Sequence, residues 1–123
     1  MTAILIPILI QIESGGWDGA IGDQNKKHKA YGPLQIRQPV CDDYNLMHGT
    51  KIRARDCLDN WRLSKKICRW YLGHYATEKR LGRRPTFEDL ARVWNGGPDG
   101  WKRETTKPYW AKVAKELKKK KGK

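Results

Sequence analysis

The strongest constraint on the fold is a run of residues, Ala3 to Ile12, that is almost wholly apolar, uncharged, and stops at Glu13-Ser14-Gly15-Gly16. A segment apolar all round has no face to offer water, so it belongs in a core, and paired glycines are the residues expected just past a helix C-terminus. Pro7 would remove a backbone hydrogen bond from the middle of that helix, so the regular helix is expected to start at Pro7. The run is too short to span a bilayer. It is not preceded by Lys or Arg, nor followed by a small-residue cleavage site. No secretory leader is therefore expected, and the encoded and mature N-termini should coincide unless a leader has already been removed.

Downstream, Gly15 to Gln38 mixes Gly, Asp, Asn and Lys around two short apolar groups, Ala20-Ile21 and Tyr31 to Ile36, the pattern of a small β-hairpin or irregular loop. A short helix is expected over Pro39 to Leu46, stopping near Gly49. Leu58, Trp61, Ile67, Cys68, Tyr71, Leu72 and Tyr75 recur at helical spacing, which predicts one long helix from about Leu58 to Leu81. Thr86 with Asp89 reads as a capping box opening a helix through Trp94 that ends at Gly96-Gly97-Pro98. A last helix is expected over Pro108 to Lys118. The chain reads as one mainly α domain over residues 1–117, with a small β-hairpin and a basic disordered tail, Lys118 to Lys123. Its 123 residues are enough for one core.

Twenty-six Lys and Arg against thirteen Asp and Glu give a net charge of +13. Five of the lysines lie in the tail, and the remaining body still carries about +8. Such a balance favours a polyanionic partner, whether nucleic acid, an acidic membrane face or an anionic cell wall. Arg69-Trp70-Tyr71, Lys79-Arg80 and Arg83-Arg84 permit a stacking platform for nucleic acid, but no recognised nucleic-acid motif accompanies them, and a solvated face explains them more simply. Cys41, Cys57 and Cys68 form no C-x-x-C pair and have no His at zinc spacing, so no metal site and no cofactor are expected. Three buried thiols is the preferred reading, with one disulfide and a leftover thiol as the alternative.

Glu13 stands apart from the other acids because it closes the apolar run. A carboxyl partly stripped of water there has its charged form disfavoured and becomes a proton donor near neutral pH; a structural ion pair or an exposed helix end are the competing readings. Ile12 to Gly16, Ala20-Ile21-Gly22, Tyr31 to Ile36, Trp94-Asn95-Gly96-Gly97, and Glu104-Thr105 with Pro108-Tyr109-Trp110 resemble, in order and spacing, the motifs of soluble lytic transglycosylases, which share a lysozyme-like fold with goose-type lysozymes. The resemblance covers roughly residues 5 to 117. Trp94 replaces the family's Tyr, Pro33-Leu34 replaces its Leu-Met, and Gly97 follows Gly96 where one small residue and one Gly are usual.

The resemblance implies an α+β lysozyme-like fold with the hairpin beside an active-site cleft. It implies cleavage of the β-1,4 bond between N-acetylmuramic acid and N-acetylglucosamine, with Glu13 as the general acid. Ser14, Tyr31, Gln35, Trp94, Asn95 and Tyr109 would contact or orient the glycan. Several have a plainer reading too: a helix-end hydroxyl for Ser14, a strand polar group for Gln35, and core aromatics for Trp94 and Tyr109. The transglycosylase route needs only Glu13 and leaves an anhydro sugar. A hydrolytic muramidase or chitinase on the same fold would add a second carboxylate, for which Asp23 is the candidate against an ordinary turn Asp. The expected partners are peptidoglycan glycan strands and anionic wall polymers, with no nucleic acid and no membrane span. The protein is expected to act on the cell wall, periplasmic or extracellular, as a monomer. A non-catalytic wall- or nucleic-acid-binding module is the reading of another class.

Overall fold

A computed structural model describes residues 1–121. Six α-helices and one two-stranded antiparallel sheet follow in the order α1 (Thr2–Ser14), β1 (Ile21–Gly22), β2 (Ala30–Tyr31), α2 (Gln38–His48), α3 (Trp61–Tyr75), α4 (Glu78–Leu81), α5 (Phe87–Gly96) and α6 (Lys107–Lys121). Short 3-10 turns lie at Ala54–Cys57, Gly100–Lys102 and Glu104–Thr106. The chain falls into two compact units. One comprises Met1–Ile12 with Tyr71–Lys123, the other Glu13–Trp70. The division passes through α1 and α3, so Glu13 and Ser14 belong to the second unit.

In the first unit α1 starts at Thr2, not at Pro7. Leu5, Ile6, Ile8, Leu9 and Ile10 are all buried, but Ala3, Ile4 and Pro7 are exposed, so this helix, apolar all round in sequence, still keeps one face outside the core. Each buried side chain contributes about 1.5–3 kcal/mol, so burying Leu5 and Ile6 helically offsets the roughly 3 kcal/mol cost of an internal proline. The predicted helix from Leu58 to Leu81 is two pieces, α3 and α4, and its first three residues, 58–60, lie outside both. Asn60 Oδ1 accepts from Leu63 N–H at 3.1 Å, and Thr77 Oγ1 accepts from Arg80 N–H at 3.2 Å. Side chains that satisfy the first free N–H groups open a new helix where periodicity alone would continue an old one.

The capping box at the start of α5 is present, with Thr86 and Asp89 exchanging side chain-to-backbone bonds. Buried Asp89 also receives both nitrogens of the Arg83 fork, at 2.5 and 2.7 Å. Burial pushes this carboxyl up, but Arg83 and the Thr86 N–H and hydroxyl outweigh it and hold it below the ordinary Asp value. α5 packs against α6, which runs on to Lys121. Lys118 to Lys121, expected in a disordered tail, are thus helical, while Gly122 and Lys123 lie outside the described residues.

In the second unit β1 and β2 pair Ile21 with Tyr31 and Gly22 with Ala30, and Tyr31 also bridges to Ile36. β2 and α2 both pack against the Ala54–Cys57 turn, and Gly49 ends α2 in the left-handed conformation. Cys41, Cys57 and Cys68 are all buried free thiols. Cys41 and Cys57 hydrogen-bond to each other, which with burial pushes the Cys41 thiol up. No helix among the described residues is long and apolar enough to cross a membrane.

Candidate active site

Glu13 and Ser14 are the last two residues of α1, half-buried where the helix gives way to Gly15 and Gly16 at φ 65° and 90°. L-residues with a Cβ rarely hold that conformation, so the glycines end the helix just after Glu13 and Ser14. The Ser14 hydroxyl donates to Pro33 O at 2.8 Å and accepts from Gly16 N–H at 3.3 Å. This ties the acid-bearing helix end to the Gly32–Gln35 turn. Burial pushes the thiol of the fully buried Cys68 in α3 well up, and the negative charge of Glu13 pushes it further.

The Gly32–Gln35 turn explains why its motif has the residues it has. Gly32 sits at φ 80°, and a Cβ there would collide with the backbone carbonyl of Cys57. Gln35 is at φ 52°, and its amide donates to Ala20 O at 3.2 Å and to Gly32 O at 3.0 Å. Gly22 lies against Gln35 Oε1 so closely that a Cβ would overlap it. The amide nitrogen of Gln35, expected to contact glycan, is thus committed to holding the turn on the hairpin. Half-buried Tyr31 lies between its β1 partner and Ile36.

Asp23 follows β1 at φ 55° and pairs with Arg37 and, at 3.7 Å, with Lys26. Two cations compensate its charge, which suits a turn residue pinning the hairpin to the start of α2. Asp18 is an acid that no motif in the sequence singles out. Its carboxyl is raised by burial and by the neighbouring Asp59 charge, and its Oδ1 is buried with no hydrogen-bond partner. Trp17 is likewise absent from the residues that the sequence points to. It is 67% exposed four residues after Glu13, a flat indole open to solvent. Its only signal is an aromatic immediately after Gly15-Gly16, too short a pattern to separate from a core Trp.

Trp94, Asn95 and Tyr109 belong to the other unit. Trp94 is half-buried and meets Tyr71 edge-on, with ring centroids 5.7 Å apart, and Tyr71 in turn contacts Tyr75 at 4.9 Å. Asn95 is exposed and Tyr109 half-buried at the start of α6. Gly96 is required by packing, because a Cβ on it would strike Thr106, and Gly97 by its backbone, which has φ 87°. Buried Thr106 is a hub, accepting from Arg92 Nε at 2.8 Å and donating to Gly100 O at 2.7 Å. In the Glu104-Thr105 motif, by contrast, Glu104 is exposed and paired with Lys107 at 2.8 Å.

Among the described residues no three His, Cys, Asp or Glu side chains are grouped as metal ligands. No family model matches the chain, and no curated protein matches it at a significant level. A solved structure does. The crystal structure of Tapes japonica lysozyme superposes with a TM-score of 0.71 at 26% identity, over 92% of this chain and 86% of that one. Mostly helical, with one small antiparallel hairpin between its first two helices, the chain has a lysozyme-like α+β fold.

Proposed function

We propose that the protein is a glycosidase that cleaves the β-1,4 bond between N-acetylmuramic acid and N-acetylglucosamine in peptidoglycan, with Glu13 as the general acid. The observation that carries this reading is the placement of Glu13. It is half-buried at the end of a helix whose core-facing side chains are buried, held by the Ser14 bond to Pro33, in a chain whose fold matches a lysozyme. A carboxylic acid held at this helix end can hand its proton to a glycosidic oxygen. Trp17 is proposed as a stacking face for a sugar ring, and Tyr31, Trp94, Asn95 and Tyr109 as glycan contacts. Ser14 and Gln35 act by fixing the helix end and the turn.

The single-acid lytic transglycosylase route is the preferred chemistry. Glu13 gives its proton to the leaving oxygen and then takes one from the muramic 6-hydroxyl, closing an anhydro ring. Asp23, its charge compensated by Arg37 and Lys26, is poorly suited to activate water or to balance a sugar cation. Hydrolysis is the second reading, favoured by the likeness to a lysozyme, which would need that second carboxylate. Mass spectrometry of products from purified peptidoglycan tests both: anhydro-muramic ends support the first and reducing ends the second. Glu13→Gln keeps the shape without the proton and is expected to leave a folded protein with less than about 1% of the activity. Substantial cleavage by that variant would remove Glu13 from the chemistry.

A further inference from the structure

The second unit carries a cavity of about 390 Å³ whose lining includes neither Glu13 nor Ser14. Lys27 and Lys29 line it from the loop before β2, and Arg53 and Arg55 from the start of the Ala54–Cys57 turn, with Tyr31 and Gln38 between. Its frame is fixed. Gln38 Oε1 accepts from Ala54 N–H at 2.9 Å while its Nε2 donates to Asp42 at 2.9 Å, so one side chain joins α2 to the turn. The nearby acids are engaged with uncharged groups: Asp42 with that Gln38 amide, and Asp56 with the Arg53 backbone N–H at 2.9 Å. Among the described residues none of the four cations has an ion-pair partner, and all four side chains are exposed to an incoming ligand.

Four uncompensated positive charges on two separate elements around one cavity form an anion site, because each raises the local potential for the others and a bound anion relieves that repulsion. A single carboxylate would neutralise only one of them. Guanidinium forks such as those of Arg53 and Arg55 match the tetrahedral oxygens of phosphate, and lysines two residues apart suit a second group further along a flexible chain. We propose that this cavity binds phosphate groups repeated along a wall polymer of the poly(polyol phosphate) type. The phosphate chemistry comes from the cavity alone; the choice of a wall polymer rests on the glycan-cleaving reading. Tyr31 lies both in this lining and among the proposed glycan contacts, so a polymer held here would keep the protein on the wall close to bonds it cleaves.

Titration of the full chain with poly(glycerol phosphate) at near-physiological salt tests the proposal, with soluble glycan cleavage measured separately. Lys29→Gln/Arg55→Gln is expected to weaken binding by about tenfold or more, while Lys112→Gln/Lys115→Gln, on exposed positions of α6 and with the same net charge, changes it by less than about twofold. Inorganic triphosphate should displace the polymer, and thermal unfolding should show both variants folded. Equal losses in the two variants would reduce the effect to net charge and overturn the site. So would failure of the polymer to bind, or equal pocket-dependent binding of polyglutamate. Tighter binding of single-stranded DNA through Lys29 and Arg55 would overturn the wall polymer as ligand. Absence of glycan cleavage with polymer binding intact would sink the glycosidase reading and leave the phosphate site standing.

Discussion

The Ser14 hydroxyl donates to the Pro33 carbonyl at 2.8 Å, joining the end of α1 to a turn 19 residues away in sequence. Its proton is spent within the protein, so Ser14 positions Glu13 through the backbone. Ser14→Ala is expected to cost about 1 kcal/mol of stability and to lower kcat roughly tenfold with KM little changed. Denaturant unfolding and steady-state kinetics check this. A larger effect on KM than on kcat would mean that Ser14 binds the sugar directly.

Asp23 and Arg37 offer a comparison that separates structure from chemistry. If the pair only pins the hairpin, Asp23→Asn and Arg37→Gln should lower turnover alike, each by less than about tenfold, with the products unchanged. A loss above about a thousandfold confined to Asp23→Asn would instead make Asp23 the second carboxylate of a hydrolase.

Gly22 and Gln35 should be strongly coupled. Gly22→Ala forces its new methyl onto Gln35 Oε1 and is expected to destabilise the protein by about 1–3 kcal/mol. In a Gln35→Ala background the same change should cost far less, because the colliding atom is gone. Unfolding free energies of the four proteins give the coupling, and additive effects would show that the hairpin relaxes around the methyl.

Trp17 is exposed enough that its removal should leave stability nearly unchanged. Trp17→Ala is expected to raise KM for soluble glycan about threefold to tenfold, the range of one lost aromatic stack, at nearly constant kcat. An unchanged KM would exclude the indole from the glycan site.

Asp89 predicts a pH dependence of stability. Its folded pKa lies below its unfolded value of about 3.9, so its contribution is complete above that value and is lost as pH falls through the folded pKa. Asp89→Asn should cost about 2 kcal/mol near neutrality through the lost cap and charge-assisted bonds. The difference in thermal midpoint between the two proteins should narrow from pH 5 towards pH 2. A constant difference would show that the carboxylate's charge adds nothing.

Local chemistry alone determined much of this protein. The Thr86–Asp89 capping box, the Gly49 stop and the hairpin between Gly15 and Gln38 depend on residues near one another in sequence, and each is found where the residue pattern puts it. Glu13 stood out for the same reason, as the one acid closing an apolar run. Long-range partners decided the rest. Pro7 lies inside α1 because burial of the flanking side chains outweighs one lost hydrogen bond. The Gln35 amide turns onto Ala20 O, Asp23 onto Arg37, and Lys27 and Lys29 come to share a cavity with Arg53 and Arg55. None of these can be read from spacing, because a side chain's role is set by what the folded chain brings against it, and those partners lie 14 to 28 residues away.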